Sequence, residues 1–145
     1  MAVSADLVLL DTSVVLHLLR GNETGQRIDT AMDLRARPER PLISVVSIGE
    51  ALAFARYRNW GRERTSRLEA YLRELVVVDI NNSAVLRKYA DIHTFLVRQG
   101  RTVGNNDVWI AATAAATSAL LVTTDGDFDP LHPEHVRVRR FAVDR

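Results

Sequence analysis

The sequence contains no cysteine. That excludes disulfides and every metal site built on thiolates. It contains one lysine, Lys88, against eighteen arginines. No apolar run approaches the length of a membrane span. The N-terminus shows no basic segment followed by an apolar stretch, so no signal peptide is expected and a cytoplasmic location is. G-x-S-x-G, the P-loop lysine motif and G-x-G-x-x-G are all missing, which removes the common nucleophile-elbow and nucleotide-cradle readings. No repeat, low-complexity tract or long linker divides the chain, and its 145 residues are expected to form a single domain, 1–145. A net charge of +1 favours no partner class.

What is present is a set of carboxylates placed after apolar runs. Asp11 follows Leu7-Val8-Leu9-Leu10, and Asp125 follows Leu120-Leu121-Val122-Thr123-Thr124. Glu50 lies shortly after Leu42-Ile43-Ser44-Val45-Val46, and Asp107 opens an alanine-rich segment. The spacing predicts strands at 6–10, 42–46, 76–80, 120–123 and 136–138. It predicts helices at 13–20, 24–36, 48–58, 62–74, 82–99 and 106–118. Apolar strands alternating with helices argue for an α/β fold with a mostly parallel, four- to five-stranded sheet covered on both faces. All four acids would then lie along the carboxyl edge of the sheet, where such folds place their sites. Clustered carboxylates repel one another unless a hard divalent cation binds them. A metal site is therefore expected, with phosphate chemistry as its first use.

Each acid also has a purely structural explanation. Asp11-Thr12-Ser13 could cap a helix. Ser47-Ile48-Gly49-Glu50 matches a capping box, which would place Glu50 in a first turn. Asn106 could cap the alanine-rich helix and leave Asp107 favoured by the helix dipole. Asp125, Asp127 and Asp129 alternate as in a calcium loop, but Pro130 stands where that loop needs glycine and Val136 where it needs glutamate. Asp125 is the preferred ligand of the three, Asp127 a second, and Asp129 faces solvent. His132 and His135 read as surface residues, and His17 and His93 as partly buried helix residues.

Over nearly the whole chain these segments resemble, in order and spacing, PIN-domain ribonucleases of the VapC toxin type. The matching features are Leu9-Leu10-Asp11-Thr12-Ser13, Ser44 through Glu50, Asn106-Asp107 with Ile110-Ala111-Ala112, and Val122-Thr123-Thr124-Asp125 with Asp127-Phe128. The resemblance implies a three-layer α/β/α sandwich and an endoribonuclease dependent on Mg²⁺ or Mn²⁺. It maps Asp11, Glu50, Asp107 and Asp125 onto the family's acidic positions, Thr12 onto a supporting hydroxyl, and Asp127 onto a position that varies. It also implies an RNA substrate, a homodimer and an antitoxin protein that blocks the site. Residues 20–40 and 56–75 match nothing specific. There Arg56, Arg58, Arg62, Arg64 and Arg67 surround Tyr57 and Trp60, and together with Phe54 this surface is expected to dock the antitoxin unless the aromatics pack inward. Two rival readings remain: a phosphatase or phosphoryl-accepting receiver domain, opposed by the position of Lys88, and a non-catalytic interaction module, opposed by the complete acid set.

Overall fold

The computed structural model describes residues 6–143. Five strands, β1 (Val8–Leu10), β2 (Leu42–Ser44), β3 (Val76–Val78), β4 (Leu120–Thr123) and β5 (Val138–Arg140), form one sheet in the order β3-β2-β1-β4-β5. Every neighbouring pair is parallel. Six helices connect them: α1 (Thr12–Arg20), α2 (Glu23–Met32), α3 (Val45–Tyr57), α4 (Arg62–Arg73), α5 (Ser83–Arg98) and α6 (Asn105–Thr117).

Strand alternation divides the interior into two cores. Val8, Leu10, Ile43 and Val122 face a cluster with Val14, Ile28, Ala51 and Leu68 from α1 to α4. Leu9, Leu42 and Leu121 point the other way, towards α5 and α6. The sheet thus lies between two helical layers, the α/β/α sandwich. Ala111, Ala112 and Ala114 are completely buried. Their small side chains bring α6 close to the sheet and its first turn close to the strand ends.

Three differences from the expected boundaries have an identifiable cause. The 24–36 helix ends at Met32, because Asp33 adopts a left-handed conformation (φ 49°), and Leu34–Ala36 forms a separate 3₁₀ turn. The last strand is shifted to Val138–Arg140 because Val138 pairs with Leu121, while Val136 is buried ahead of it. The third difference has consequences for the site. Helix α3 starts at Val45, directly after β2, because the Ser44 hydroxyl accepts from the Val46 N–H at 3.1 Å. This cap overrides the strand preference of the two valines. Ser47 is therefore inside the helix, buried and without a hydrogen-bond partner for its hydroxyl. Glu50 lies in the second turn, beyond reach of the N-cap amide, so the capping-box explanation of Glu50 fails.

Close packing of α6 generates a stability prediction. Ala112→Leu should destabilise the protein by about 1–3 kcal/mol through overpacking. Ala116→Leu, at a partly buried position, should cost much less. Equilibrium urea unfolding measures both, and equal losses would contradict the close approach of α6.

Candidate metal centre

The strand order reverses direction between β1 and β4, and the crevice outside their carboxyl ends is where ligands enter such sheets. Asp11 lies at that point. Its backbone N–H continues the ladder to the Val122 carbonyl at 3.0 Å. Extended dihedrals (φ −67°, ψ 156°) then turn the chain into α1, and one carboxylate oxygen caps the helix by accepting from the Thr12 N–H at 2.8 Å. The other accepts from the Thr123 hydroxyl at 2.7 Å and the Ser13 hydroxyl at 3.3 Å. Asp11 therefore caps the helix while lying in the crevice, and is only 5% exposed. Burial raises its pKa, with Glu50 adding to the effect, while the Thr123, Thr12 and Ser13 donors oppose it.

Glu50 reaches the crevice from α3. It accepts from the Thr12 hydroxyl at 2.7 Å and the Asn106 amide at 3.3 Å. Asn106 is thus not the cap of α6. That position belongs to Gly104, which makes no side-chain cap bond. Asp107 occupies the first turn of α6, half-buried. Asp125 follows β4 and accepts from the Asp127 N–H at 2.9 Å, turning the chain into a 3₁₀ segment, Gly126–Leu131.

One carboxylate oxygen each from Asp107, Asp125 and Asp127 can be chosen so that all lie within 4.8 Å of one another. Ligands of a single Mg²⁺, each bound at about 2.1 Å, lie at most about 4.2 Å apart, so small side-chain movements would close the trio on one ion. Asp11 and Glu50 are outside this trio, yet their charges reach it. The pKa of Asp107 is raised to about 7 by burial first, then by Asp11, Asp125, Glu50 and Asp127 in that order. Asp107 thus feels all four of the other acids, in an oxygen-only donor set suited to a hard cation.

The other candidates fall elsewhere. Asp129 pairs with Arg140 at 3.3 Å on the surface. His132 is exposed and accepts from the Val138 N–H, and His135 packs on Phe95. His93 is exposed rather than partly buried, stacked on Tyr89, because Ile92 and Leu96 supply the buried face of α5. Tyr57 is 81% exposed, as expected. Trp60 instead packs into the first core, edge-on to Phe54 and beneath the Arg64 guanidinium at 4.4 Å. A groove of about 820 Å³ lined by Leu18, Asp29, Arg35 and Tyr71 also includes Pro41 and Leu75, which precede β2 and β3. It therefore lies at the opposite end of the sheet from the acids.

Sequence reasoning overlooked the hydroxyl collar. Thr124 donates to Ser13 at 2.9 Å, Ser13 donates to Asp11, and Thr123 bridges Asp11 and the Asp125 N–H. The available signal was Thr123 itself, a hydroxyl ending an apolar strand that must find a buried partner.

The PIN domain family model matches residues 8–131. The chain belongs to the PIN domain family. It is 30% identical over 126 residues to "Ribonuclease VapC5" of Mycobacterium tuberculosis (strain ATCC 25618 / H37Rv), covering 85% of this chain and 86% of that protein. The structure of VapBC2 from Rickettsia felis, bound to a promoter DNA fragment, matches with a TM-score of 0.77 at 20% identity, over 93% of this chain and 98% of that one. VapBC-5 from Mycobacterium tuberculosis, a member of the VapBC family of toxin–antitoxin systems, matches with a TM-score of 0.69 at 24% identity, over 94% and 99%. These two structural likenesses bear on the fold alone.

The raised Asp107 pKa makes the metal-free PIN domain sensitive to pH with a definite sign. Between 3.8, the ordinary aspartate value, and about 7, the folded state holds a proton that the unfolded chain has lost. Stability from this group therefore falls as pH rises through that window and levels off above it. In EDTA, urea unfolding should show this decline, and Asp107→Asn should flatten it. Stabilisation by Mn²⁺ should grow across the same window, because metal and proton compete for one carboxylate. A decline identical in Asp107→Asn would refute the assignment.

Proposed function

We propose that this PIN domain is a divalent-metal-dependent endoribonuclease that hydrolyses RNA phosphodiester bonds, and the toxin of a toxin–antitoxin pair. The observation that carries the reading is the oxygen trio of Asp107, Asp125 and Asp127 within 4.8 Å, inside the field of Asp11 and Glu50. Ribonuclease names among the relatives support the substrate class.

Asp107, Asp125 and Asp127 would hold Mg²⁺ or Mn²⁺, with Asp11 and Glu50 completing the charge around it. A bound ion of this kind supplies Lewis acidity towards a phosphoryl oxygen and makes water a better nucleophile. The protein's own contribution is preorganisation. Thr12 fixes Glu50, and Thr123 fixes Asp11, so neither carboxylate must reorient as charge develops. Glu50 has one oxygen bound to Thr12 and the other held more loosely by Asn106, which leaves it able to orient a water or accept its proton. Lys88 is exposed within α5 rather than placed after a late strand, which leaves the receiver reading without its lysine.

The proposal includes a protein antitoxin as partner, as in the VapBC toxin–antitoxin systems that share this fold, and a cytoplasmic setting. Among the described residues no helix is long and apolar enough to cross a membrane. A homodimer has its own support in α5. Leu86 is 48% and Val97 61% exposed, and with exposed Ala90 and His93 they repeat at four, three and four residues. Such a seam suits a second helix.

Two experiments test these readings. Mn²⁺-dependent cleavage of a pool of structured RNAs should fall by about 100-fold or more in Asp11→Asn and Asp107→Asn, which remove charged site groups with little change of volume. Asp129→Asn should cleave normally, and Thr12→Val should lose roughly 10- to 100-fold through a misplaced Glu50. Glu50→Gln should lose activity with its melting temperature retained. Near-normal cleavage by Asp107→Asn would sink the assignment, and no cleavage by the native protein would favour the non-catalytic module. For the dimer, Leu86→Arg combined with Val97→Arg should convert dimer to monomer in light scattering, and an unchanged mass would exclude the α5 seam.

A further inference from the structure

A cleft of about 600 Å³ opens beside the acids, between the 101–103 loop and the Gly126–Leu131 turn. Among the described residues its lining includes Asp127, Asp129 and one cation, Arg101. We propose that Arg101 is a positioning residue that binds a backbone phosphate of single-stranded RNA adjacent to the scissile one and holds the strand in this cleft. The inference rests on the ribonuclease reading above.

Arg101 is held by its backbone and left free at its side chain. Helix α5 ends in a closure in which Gly100 takes a left-handed conformation (φ 67°) and donates to the Val97 carbonyl at 3.0 Å. The Arg101 N–H then reaches back to the Leu96 carbonyl at 2.9 Å. This pairing fixes the direction in which the following side chain leaves the helix. The Arg101 side chain is exposed and forms no ion pair or hydrogen bond with the described residues. Arg140, near the opposite wall, is already committed. Its guanidinium pairs with Asp129 at 3.3 Å, and a Cβ on Gly126 would stand 3.4 Å from it.

Charge gives Arg101 its task. One divalent ion leaves three of the five carboxylate charges uncancelled, so the centre still repels a phosphodiester. A cation on the approach must offset this, and guanidinium, permanently charged and able to fork two phosphate oxygens, is suited to do so. The same short segment, residues 101–104, leads into the α6 turn that carries Asp107. The phosphate contact and the acid centre are thus tied to one stretch of backbone.

The test compares the native chain with Arg101→Ala and Arg101→Lys on a mixed-sequence single-stranded RNA. Cleavage is read in Mn²⁺, and binding is read in an Asp107→Asn background across a salt series. Arg101→Ala should raise KM about tenfold with kcat within about twofold. It should also lower the slope of log K against log salt by about 0.7, one phosphate contact to a single strand. Arg101→Lys should restore most of the slope, and the Mn²⁺ melting shift should be unchanged in both. Unchanged KM and salt slope in a cleaving native background would overturn the role of Arg101 alone. Loss of kcat at constant KM, or a lost Mn²⁺ shift, would overturn it in favour of a role at the metal centre. Weakened binding of a co-expressed antitoxin with RNA kinetics intact would overturn it in favour of a protein contact. Absence of RNA cleavage and binding in the native chain would remove the ribonuclease reading and this inference together.

Discussion

Repulsion of Asp107 by four neighbouring carboxylates is the constraint around which this fold is arranged. Asp11, Glu50, Asp107, Asp125 and Asp127 come from four separate stretches of chain, and each of the other four raises the Asp107 pKa. Unfolding would release that repulsion. The two cores on either side of the sheet must therefore hold together a crevice that opposes its own assembly. Leu9, Leu10, Leu121 and Val122, all completely buried, lie within two residues of Asp11 or three to four of Asp125. The acids are anchored by the most deeply packed part of the sheet, where local opening is least favourable.

The repulsion is distributed unevenly. Asp11 and Glu50 are supplied with donors: three for Asp11 and two for Glu50. Their positions are settled by short bonds to Thr123 and Thr12 before any ion arrives. Asp107 receives no such donor among the described residues, and its burial and neighbours push it towards the neutral form. A divalent cation would do for Asp107 what the hydroxyls do for the deeper pair. This explains why hydroxyl residues collect at two of the acids while the trio is left to face one another.

Much of the fold was legible because its signals are local and repeated. Apolar runs marked the first four strands and alternation the two-sided burial, with β4 placed at 120–123 as expected, while the last strand was expected two residues early. The convergence of the acids was legible by position, since acids that follow strands or lie early in the connecting helices fall along one edge of a parallel sheet. Errors arose where one side chain decided a boundary. Ser44 rather than Ser47 capped α3, because Val45 and Val46 read as strand and only the Ser44 hydroxyl reveals the helix start. Asn106 read as a cap, but its amide serves Glu50, fifty-six residues away in sequence. The exposure of His93 and the packing of Trp60 depended on which neighbours filled the helix faces, which periodicity alone does not give. The Thr123–Asp11 bond joins residues 112 apart, and no pattern within either segment could reveal it.

The misread start of α3 shows how closely fold and chemistry are coupled here. Had the helix begun at Ile48, Glu50 would have turned back to its own N-terminus and been consumed there as a cap. Starting at Val45 moves it on by three residues, nearly a full turn, and puts it in the second turn, where the amides are already paired within the helix. Its carboxylate then has no local donor and turns to Thr12 and Asn106, on α1 and α6. Glu50 thereby links three helices across the mouth of the crevice. One hydroxyl at the end of β2 thus decides whether this glutamate is a structural cap or a member of the acid centre.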